Sequence, residues 1–188
     1  MVEVKGSVVG DSIKTIKALY GEHIYNDVLN LLRPETRAVF DRGSVMPMDW
    51  YSLNAFIEFL EADLKVTSHG DERELIRRSE DLIGKQLTGI YKVFVKLGSP
   101  SFVLSRLAAV NQTYFRGVAI EISFPNPRNA IVRLTGFAKE HRLMGFCLIG
   151  FYRKALDVSG AKNIEVEFST SIEEGKGYCE LVLSWTEK

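Results

Sequence analysis

The side chains best suited to chemistry near neutral pH are few and widely spaced in this sequence. It contains three histidines, His23, His69 and His141, and two cysteines, Cys147 and Cys179. None of the histidines stands at metal-ligand spacing from another histidine or a cysteine, and a structural zinc site normally takes four ligands. We therefore expect histidines at the surface or at helix ends and cysteines that pack as small apolar groups. The alternatives are a site role for His141, which precedes an apolar helix, and a metal or redox pair of cysteines.

The common catalytic motifs are missing. The sequence has no Gly-x-Gly-x-x-Gly, no Gly-Lys-Ser/Thr phosphate loop and no Gly-x-Ser-x-Gly elbow. Its carboxylates, among them Glu72, Glu74 and Glu80, alternate with arginines as on a solvated helix face. General acid–base catalysis needs such a group buried beside a substrate. We expect a protein that is not an enzyme and that carries no metal and no cofactor.

Composition is that of a soluble globular protein. A chain of 188 residues fits a single domain spanning 1–188. Its 24 Lys and Arg balance 24 Asp and Glu, which disfavours a general nucleic-acid or anionic-membrane binder. The most apolar run, Leu143–Phe151, is much shorter than the ~20 residues that span a bilayer, and no signal peptide opens the chain. These features predict a cytoplasmic protein that binds neither nucleic acid nor membrane.

Aromatic residues are the feature that favours ligand binding. They make up 11% of the chain, and although most must fill the core, a large aromatic core can also line an apolar pocket. Gly145 and Gly150, on an otherwise crowded helix, leave room for a ligand or, more commonly, for a neighbouring backbone. We assign the pocket lining to Tyr91, Phe94, Phe115, Phe137 and Phe146.

Hydrophobic spacing predicts helices through the first two thirds of the chain. Apolar residues three and four apart form one stripe, bent or broken at Gly21, which could pack against a partner or a second copy: Ile13, Ile16, Tyr20, Ile24, Val28 and Leu31. Further helices are predicted over residues 34–40, 50–65, 72–83, 85–97 and 102–114.

Strands are predicted at both ends of the chain. Val2–Val9 is β-rich, and Asp11 or Ser12 can cap the helix that follows. From Gly117 the apolar period changes to two, which predicts one hairpin over residues 118–134, a helix over 139–157 and a second hairpin with strands at 164–168 and 179–185. The fold class is therefore α+β: a helical half packed on a twisted antiparallel sheet of about four strands, formed by two hairpins, plus a short N-terminal strand.

Three segments resemble known families. The opening Val4-Lys5-Gly6 is similar to the start of haem-nitric-oxide/oxygen-binding domains, and Gly177–Trp185 is similar to the end of vinyl-4-reductase domains. Leu87–Pro100 and Arg133–Phe137 resemble a family of uncharacterised myxobacterial and other deltaproteobacterial proteins. Vinyl-4-reductase domains, TRAPP subunits and haem-nitric-oxide domains share one structural superfamily, and the resemblance covers essentially the whole chain.

This resemblance implies an α+β ligand-binding fold that often dimerises. Vinyl-4-reductase sensors often carry two zinc-binding cysteines eight residues apart, but Ser171 stands at the first position and Cys179 at the second, with Cys147 only near an upstream ligand. Haem domains use a proximal histidine and a Tyr-x-Ser-x-Arg motif; the Tyr114-Phe115-Arg116 run has a different spacing. Neither zinc nor haem is expected on these grounds.

The leading hypothesis is a non-catalytic sensory or regulatory module that binds a small apolar or aromatic ligand between the helical half and the sheet. The first alternative is a protein-interaction scaffold with a filled core, most simply a homodimer. A haem- or metal-binding sensor is the second alternative.

Overall fold

The α+β class is confirmed by a computed structural model, which describes residues 1–41, 45–88 and 99–186. The chain divides into two compact units. The first combines Met1–Glu74 with Thr113–Gly117, and the second combines Leu75–Gln112 with Val118–Lys188. Each unit has its own antiparallel sheet.

The first unit is mostly helical. Its elements in chain order are β1 (Glu3–Lys5), α1 (Gly6–Tyr20), α2 (Glu22–Leu31), α3 (Pro34–Phe40), β2 (Trp50–Ser52), α4 (Leu53–Thr67) and β3 (Phe115–Arg116). The strands form a small sheet in the order β2-β1-β3, in which Val4 lies opposite Tyr51 on one side and Phe115 on the other. Because β2 pairs with β1, the helix predicted from residue 50 begins at Leu53 instead.

A close backbone contact fixes where α1 begins. The Gly6 and Ser7 amides donate hydrogen bonds of 2.9 and 3.1 Å to the Asp49 and Pro47 carbonyl oxygens. These carbonyls take the place of a side-chain cap, because they satisfy amides that the first turn of a helix leaves open. Position 6 also has no room for a side chain, since a Cβ there would overlap the Met46 carbonyl oxygen.

This contact corrects the predicted start of the chain. The strand predicted over Val2–Val9 ends at Lys5, and the first helix begins at Gly6 rather than after a cap at Asp11 or Ser12. The β-branched side chains in this stretch favour a strand locally. The carbonyls supplied by the distant 46–49 turn override that preference.

A cluster of charged and aromatic side chains covers one face of the small sheet. The Lys5 Nζ lies 4.5 Å and the Arg116 guanidinium carbon 4.1 Å from the centre of the Trp50 ring. Arg116 also pairs with Glu3 at 3.7 Å. These cation–π contacts link β1, β2 and β3 from their half-exposed side.

The predicted helical stripe is broken where expected. Gly21 has φ 88°, a left-handed conformation that favours glycine, and it separates α1 from α2. Ile16 and Val28 are buried within the chain, whereas Leu31 remains 46% exposed. The stripe therefore contributes to the chain's own core, and only part of it is available to a partner.

The second unit combines helices with a larger sheet. Its regular elements are α5 (Glu74–Thr88), α6 (Pro100–Tyr114), β4 (Ala119–Asn126), β5 (Asn129–Thr135), α7 (Leu143–Val158), β6 (Lys162–Thr170) and β7 (Tyr178–Thr186). Short 3₁₀ turns occur at Lys139–His141 and Ile172–Glu174. Of the helix predicted over 85–97, the structure describes only residues 85–88, which form the end of α5. Residues 89–98 lie outside the described part.

The two predicted hairpin regions form one four-stranded sheet in the order β4-β5-β7-β6, all antiparallel. β5 and β7 occupy the centre, and their alternating apolar residues are almost completely buried there: Ala130, Val132, Leu134, Cys179, Leu181, Leu183 and Trp185. Phe124 on β4 is 37% exposed. It lies at an edge strand where the pairing register shifts.

Both glycines of α7 are explained by packing inside the second unit. A Cβ at Gly150 would overlap the Ile76 carbonyl oxygen and lie 2.9 Å from the Ser79 Cβ, both on α5. A Cβ at Gly145 would lie 3.1 Å from the Phe168 ring. Between the two helices, the Ser79 hydroxyl donates to the Cys147 carbonyl oxygen at 2.8 Å. Close approach of a backbone and a ring, rather than room for a ligand, accounts for these positions.

We predict that Gly6→Ala destabilises the protein, because the new methyl group overlaps the Met46 carbonyl. Overpacking of this kind costs about 1–3 kcal/mol. Gly10→Ala is the matched control in the same helix: a Cβ there meets nothing within 4 Å, and alanine in a helix interior gains about 0.5–1 kcal/mol over glycine. Urea unfolding measures both changes. Equal stability of the two variants would contradict the role assigned to Gly6.

Candidate functional site

The structure separates the three histidines by environment. His23 on α2 and His69 after α4 are exposed, as expected. His141, at the end of the 3₁₀ turn before α7, is only 5% exposed. It is thus the one histidine of the chain with a buried side chain, and its role in a site stays a prediction.

The hydrogen bonding of His141 defines its chemistry. Its Nδ1 accepts a 3.0 Å hydrogen bond from the Ala138 amide, and its ring meets Phe137 edge to face with 6.1 Å between ring centres. Burial lowers the pKa of His141 below its ordinary value, against the opposing effect of Glu140, so the neutral imidazole is favoured. A neutral ring whose Nδ1 accepts a hydrogen bond carries its proton on Nε2.

The two cysteines lie on different elements of the second unit. Cys147 is on α7 and Cys179 on β7, and both are free thiols. Burial raises the pKa of Cys147 and that of Cys179 to about 12, so both remain protonated and poorly nucleophilic at neutral pH. Within the described residues, no three His, Cys, Asp or Glu side chains are grouped to hold a metal ion.

The predicted aromatic pocket lining is distributed over both units. Phe115 is buried on β3 in the first unit, while Phe137 is buried and Phe146 half-buried in the second. Tyr91 and Phe94 lie outside the described residues. A shared role for these five residues therefore stays a prediction.

Within residues 1–41, 45–88 and 99–186, one buried side-chain nitrogen or oxygen has no hydrogen-bond partner. It is the indole Nε1 of Trp185 on β7; this residue is 3% exposed, and no acceptor of the described residues lies within reach of its N–H. Leaving such a donor unsatisfied costs about 1–3 kcal/mol. The second unit thus contains an internal N–H donor that no described residue satisfies.

The first unit contains a cleft that the sequence interpretation did not find. It has a volume of about 320 Å³ and is formed by α1, α2, the end of α3, Asp41 and Val45. An apolar floor is surrounded by charged and amide side chains; the lining residues are Gly10, Ile13, Lys14, Lys17, Glu22, Tyr25, Asn26, Leu29, Phe40, Asp41 and Val45. The spacing of positions 10, 13, 14 and 17 on one face of α1 is the sequence signal that could have identified it.

Tyr25 is the fixed wall of this cleft. Its hydroxyl donates to the Phe40 carbonyl oxygen at 3.2 Å, and burial raises its pKa to about 12, with Glu22 and Asp41 adding to the effect. Lys17 Nζ lies 4.2 Å from the centre of the Tyr25 ring and 2.8 Å from the Glu22 carboxylate. The cleft therefore presents an ordered aromatic surface, with the Lys17–Glu22 ion pair beside it and Lys14 and Asp41 also in the lining.

Comparison with known proteins identifies the fold. No family model and no curated protein sequence matches the chain. Solved structures of H-NOX (haem-nitric oxide binding) proteins do match it. The K. algicida H-NOX protein in the unliganded Fe(II) state has a TM-score of 0.73 at 10% identity, over 98% of this chain and 97% of its own.

Two structures from S. oneidensis agree with that result. The H-NOX protein in its Fe(II)NO state has a TM-score of 0.72 at 16% identity, over 97% of this chain and 99% of its own. The NMR structure of a Shewanella oneidensis H-NOX domain in the Fe(II)CO state has a TM-score of 0.68 at 15% identity, over 98% and 99% of the two chains. The chain therefore has the H-NOX fold, which confirms that part of the resemblance; the vinyl-4-reductase, TRAPP and deltaproteobacterial parts stay predictions.

No helix among residues 1–41, 45–88 and 99–186 is long and apolar enough to cross a bilayer.

We predict that burial of His141 makes the protein less stable in acid. Because its pKa is lowered in the folded state, the unfolded chain binds more protons as the pH falls below about 6.5. The free energy of unfolding should therefore fall with pH in that range. His141→Asn keeps an acceptor for the Ala138 amide but cannot titrate, so its unfolding energy should fall less steeply. Denaturant unfolding between about pH 7.5 and 5.5 measures both slopes.

The matched control is the same substitution at an exposed histidine, His23→Asn on α2. A slope that stays at the wild-type value in His141→Asn would refute the assignment.

Proposed function

We propose that this chain is a non-catalytic sensory or regulatory domain that binds a ligand within an H-NOX fold. The observation that carries the proposal is the likeness in fold to H-NOX proteins over 97–98% of the chain. Those proteins are described in unliganded, NO-bound and CO-bound states. The proposal includes a single domain, a cytoplasmic location and self-association as a homodimer.

The comparisons support the haem- or metal-binding sensor better than the small apolar or aromatic ligand. Each of the three proteins compared above is described as an Fe(II) form, which makes haem the first ligand class to test. The unsatisfied Trp185 indole N–H adds support for an internal ligand in general, because a ligand oxygen would satisfy it.

The residues that would have to bind haem do not fit the usual arrangement in which a histidine holds the iron. The buried histidine, His141, already accepts a backbone hydrogen bond at Nδ1. The functional proposal therefore rests on ligand binding by the fold and includes no step at an iron centre.

We predict that the full-length protein, purified from cells grown with and without a haem precursor, carries one bound small molecule per chain. A ligand-binding module retains its ligand when the affinity is high enough to survive dilution. Native mass spectrometry measures the bound mass, and extraction followed by absorption spectroscopy separates a porphyrin from another organic molecule. No bound species, combined with an unchanged melting temperature in the presence of haem, phenols or lipids, would count against a sensor.

The cleft of the first unit gives specific support to the small-molecule alternative. Its volume of about 320 Å³ lies at the lower end of the range for ligand pockets, about 300–1,000 Å³. Its apolar floor and mixed-charge edge would suit a small molecule with an apolar body and a polar end. Most of the lining residues lie on α1 and α2, so substitutions on these two helices test the cleft.

We predict that Gly10→Leu weakens binding of phenol-type ligands at least about tenfold, because position 10 lines the cleft and a Cβ there meets no other atom within 4 Å. Gly10→Ala, which adds one methyl group, is the control and should weaken binding much less. Isothermal titration calorimetry measures both. Equal affinity in wild type and Gly10→Leu would remove the cleft as the binding site.

A further inference from the structure

We infer that this H-NOX fold does not hold a haem iron through a histidine of its own, so that the ligand it senses is bound by other contacts. The inference deepens the proposed function and rests on it. Haem iron in proteins takes an axial histidine, cysteine thiolate, tyrosine or methionine. All histidines, cysteines and methionines of the sequence lie within the described residues.

His23 and His69 do not lie in the interior of the described chain. Both side chains are exposed, one on α2 and the other in the loop after α4. Cofactor sites bury most of the ligand surface in a concave, largely apolar pocket. Neither histidine lines the cleft of the first unit, so neither meets that requirement.

His141 is buried, but its hydrogen bond has the wrong polarity for an iron ligand. A metal-bound histidine coordinates through one ring nitrogen and donates its other N–H to a carbonyl or carboxylate. Here the Ala138 amide donates to Nδ1 at 3.0 Å, which leaves the proton on Nε2. To bind iron through Nε2, the ring would have to move that proton to Nδ1, where two N–H groups would then face each other.

The cysteines do not replace a histidine. An axial cysteine ligand is a thiolate, whereas burial raises the pKa of both Cys147 and Cys179 to about 12. Burial thus disfavours the thiolate form that an axial cysteine ligand requires.

The tyrosines and methionines offer little better. Burial also raises the pKa of Tyr152, which disfavours the phenolate that would bind iron. Met1, Met46 and Met48 are exposed. Met144 on α7 is buried, but axial methionine in cytochromes acts together with a histidine, and the histidines of this chain do not fit.

The experiment is a titration of the purified full-length protein with haemin, followed by reduction to the ferrous state. Absorption spectra report binding, and resonance Raman spectra report an iron–histidine vibration. We expect no such vibration in the wild-type protein, and the same haemin titration curve for wild type and His141→Asn. The asparagine keeps an acceptor for the Ala138 amide, which favours a folded variant.

Single variants His23→Asn and His69→Asn complete the set, since they cover the other histidines. An iron–histidine vibration in the wild type that one of the three variants abolishes would overturn the inference while leaving the sensor proposal intact. Haemin binding without that vibration, or no haemin binding at all, supports it. The sensor proposal fails separately, if the purified chain carries no ligand and none of the added molecules binds.

Discussion

The contact that the first unit depends on is the one between two backbones at Gly6. The carbonyls of the 46–49 turn accept the first amides of α1, so a strand can pass into a helix without a capping side chain. Only a residue without a Cβ allows the Met46 carbonyl to approach this closely. As a result β1 is short, Val4 lies between Tyr51 and Phe115 in the sheet, and α1 is placed where it forms one wall of the cleft.

Fold and binding chemistry are separate properties of this chain. The backbone matches H-NOX proteins almost end to end at 10–16% identity, which means that the architecture is maintained by packing patterns that many sequences satisfy. Iron binding depends instead on a few atoms. At His141, a single amide donor sets the tautomer of the ring. A fold can therefore persist while the few side chains that a particular ligand needs change.

Much of the second unit could be predicted from the sequence because its signals are local. Alternating apolar residues at 130, 132, 134 and at 179, 181, 183 specify two strands with one buried face, and both lie at the centre of the sheet. The first helix was misplaced because its cap comes from a distant turn. The cleft was missed because its residues come from three helices, and a pattern on α1 alone does not show that α2 lies opposite.

The placement of the two tryptophans gives each unit an intrinsic optical reporter. The sequence contains only Trp50 and Trp185. Trp50 is half-exposed beside the cations of Lys5 and Arg116 in the first unit, whereas Trp185 is sealed in the second with its N–H unsatisfied. The two tryptophans should differ in emission wavelength. They should also differ in quenching by iodide, an anion that the two cations beside Trp50 attract. Loosening of one unit can thus be distinguished from loosening of the other without attaching a dye.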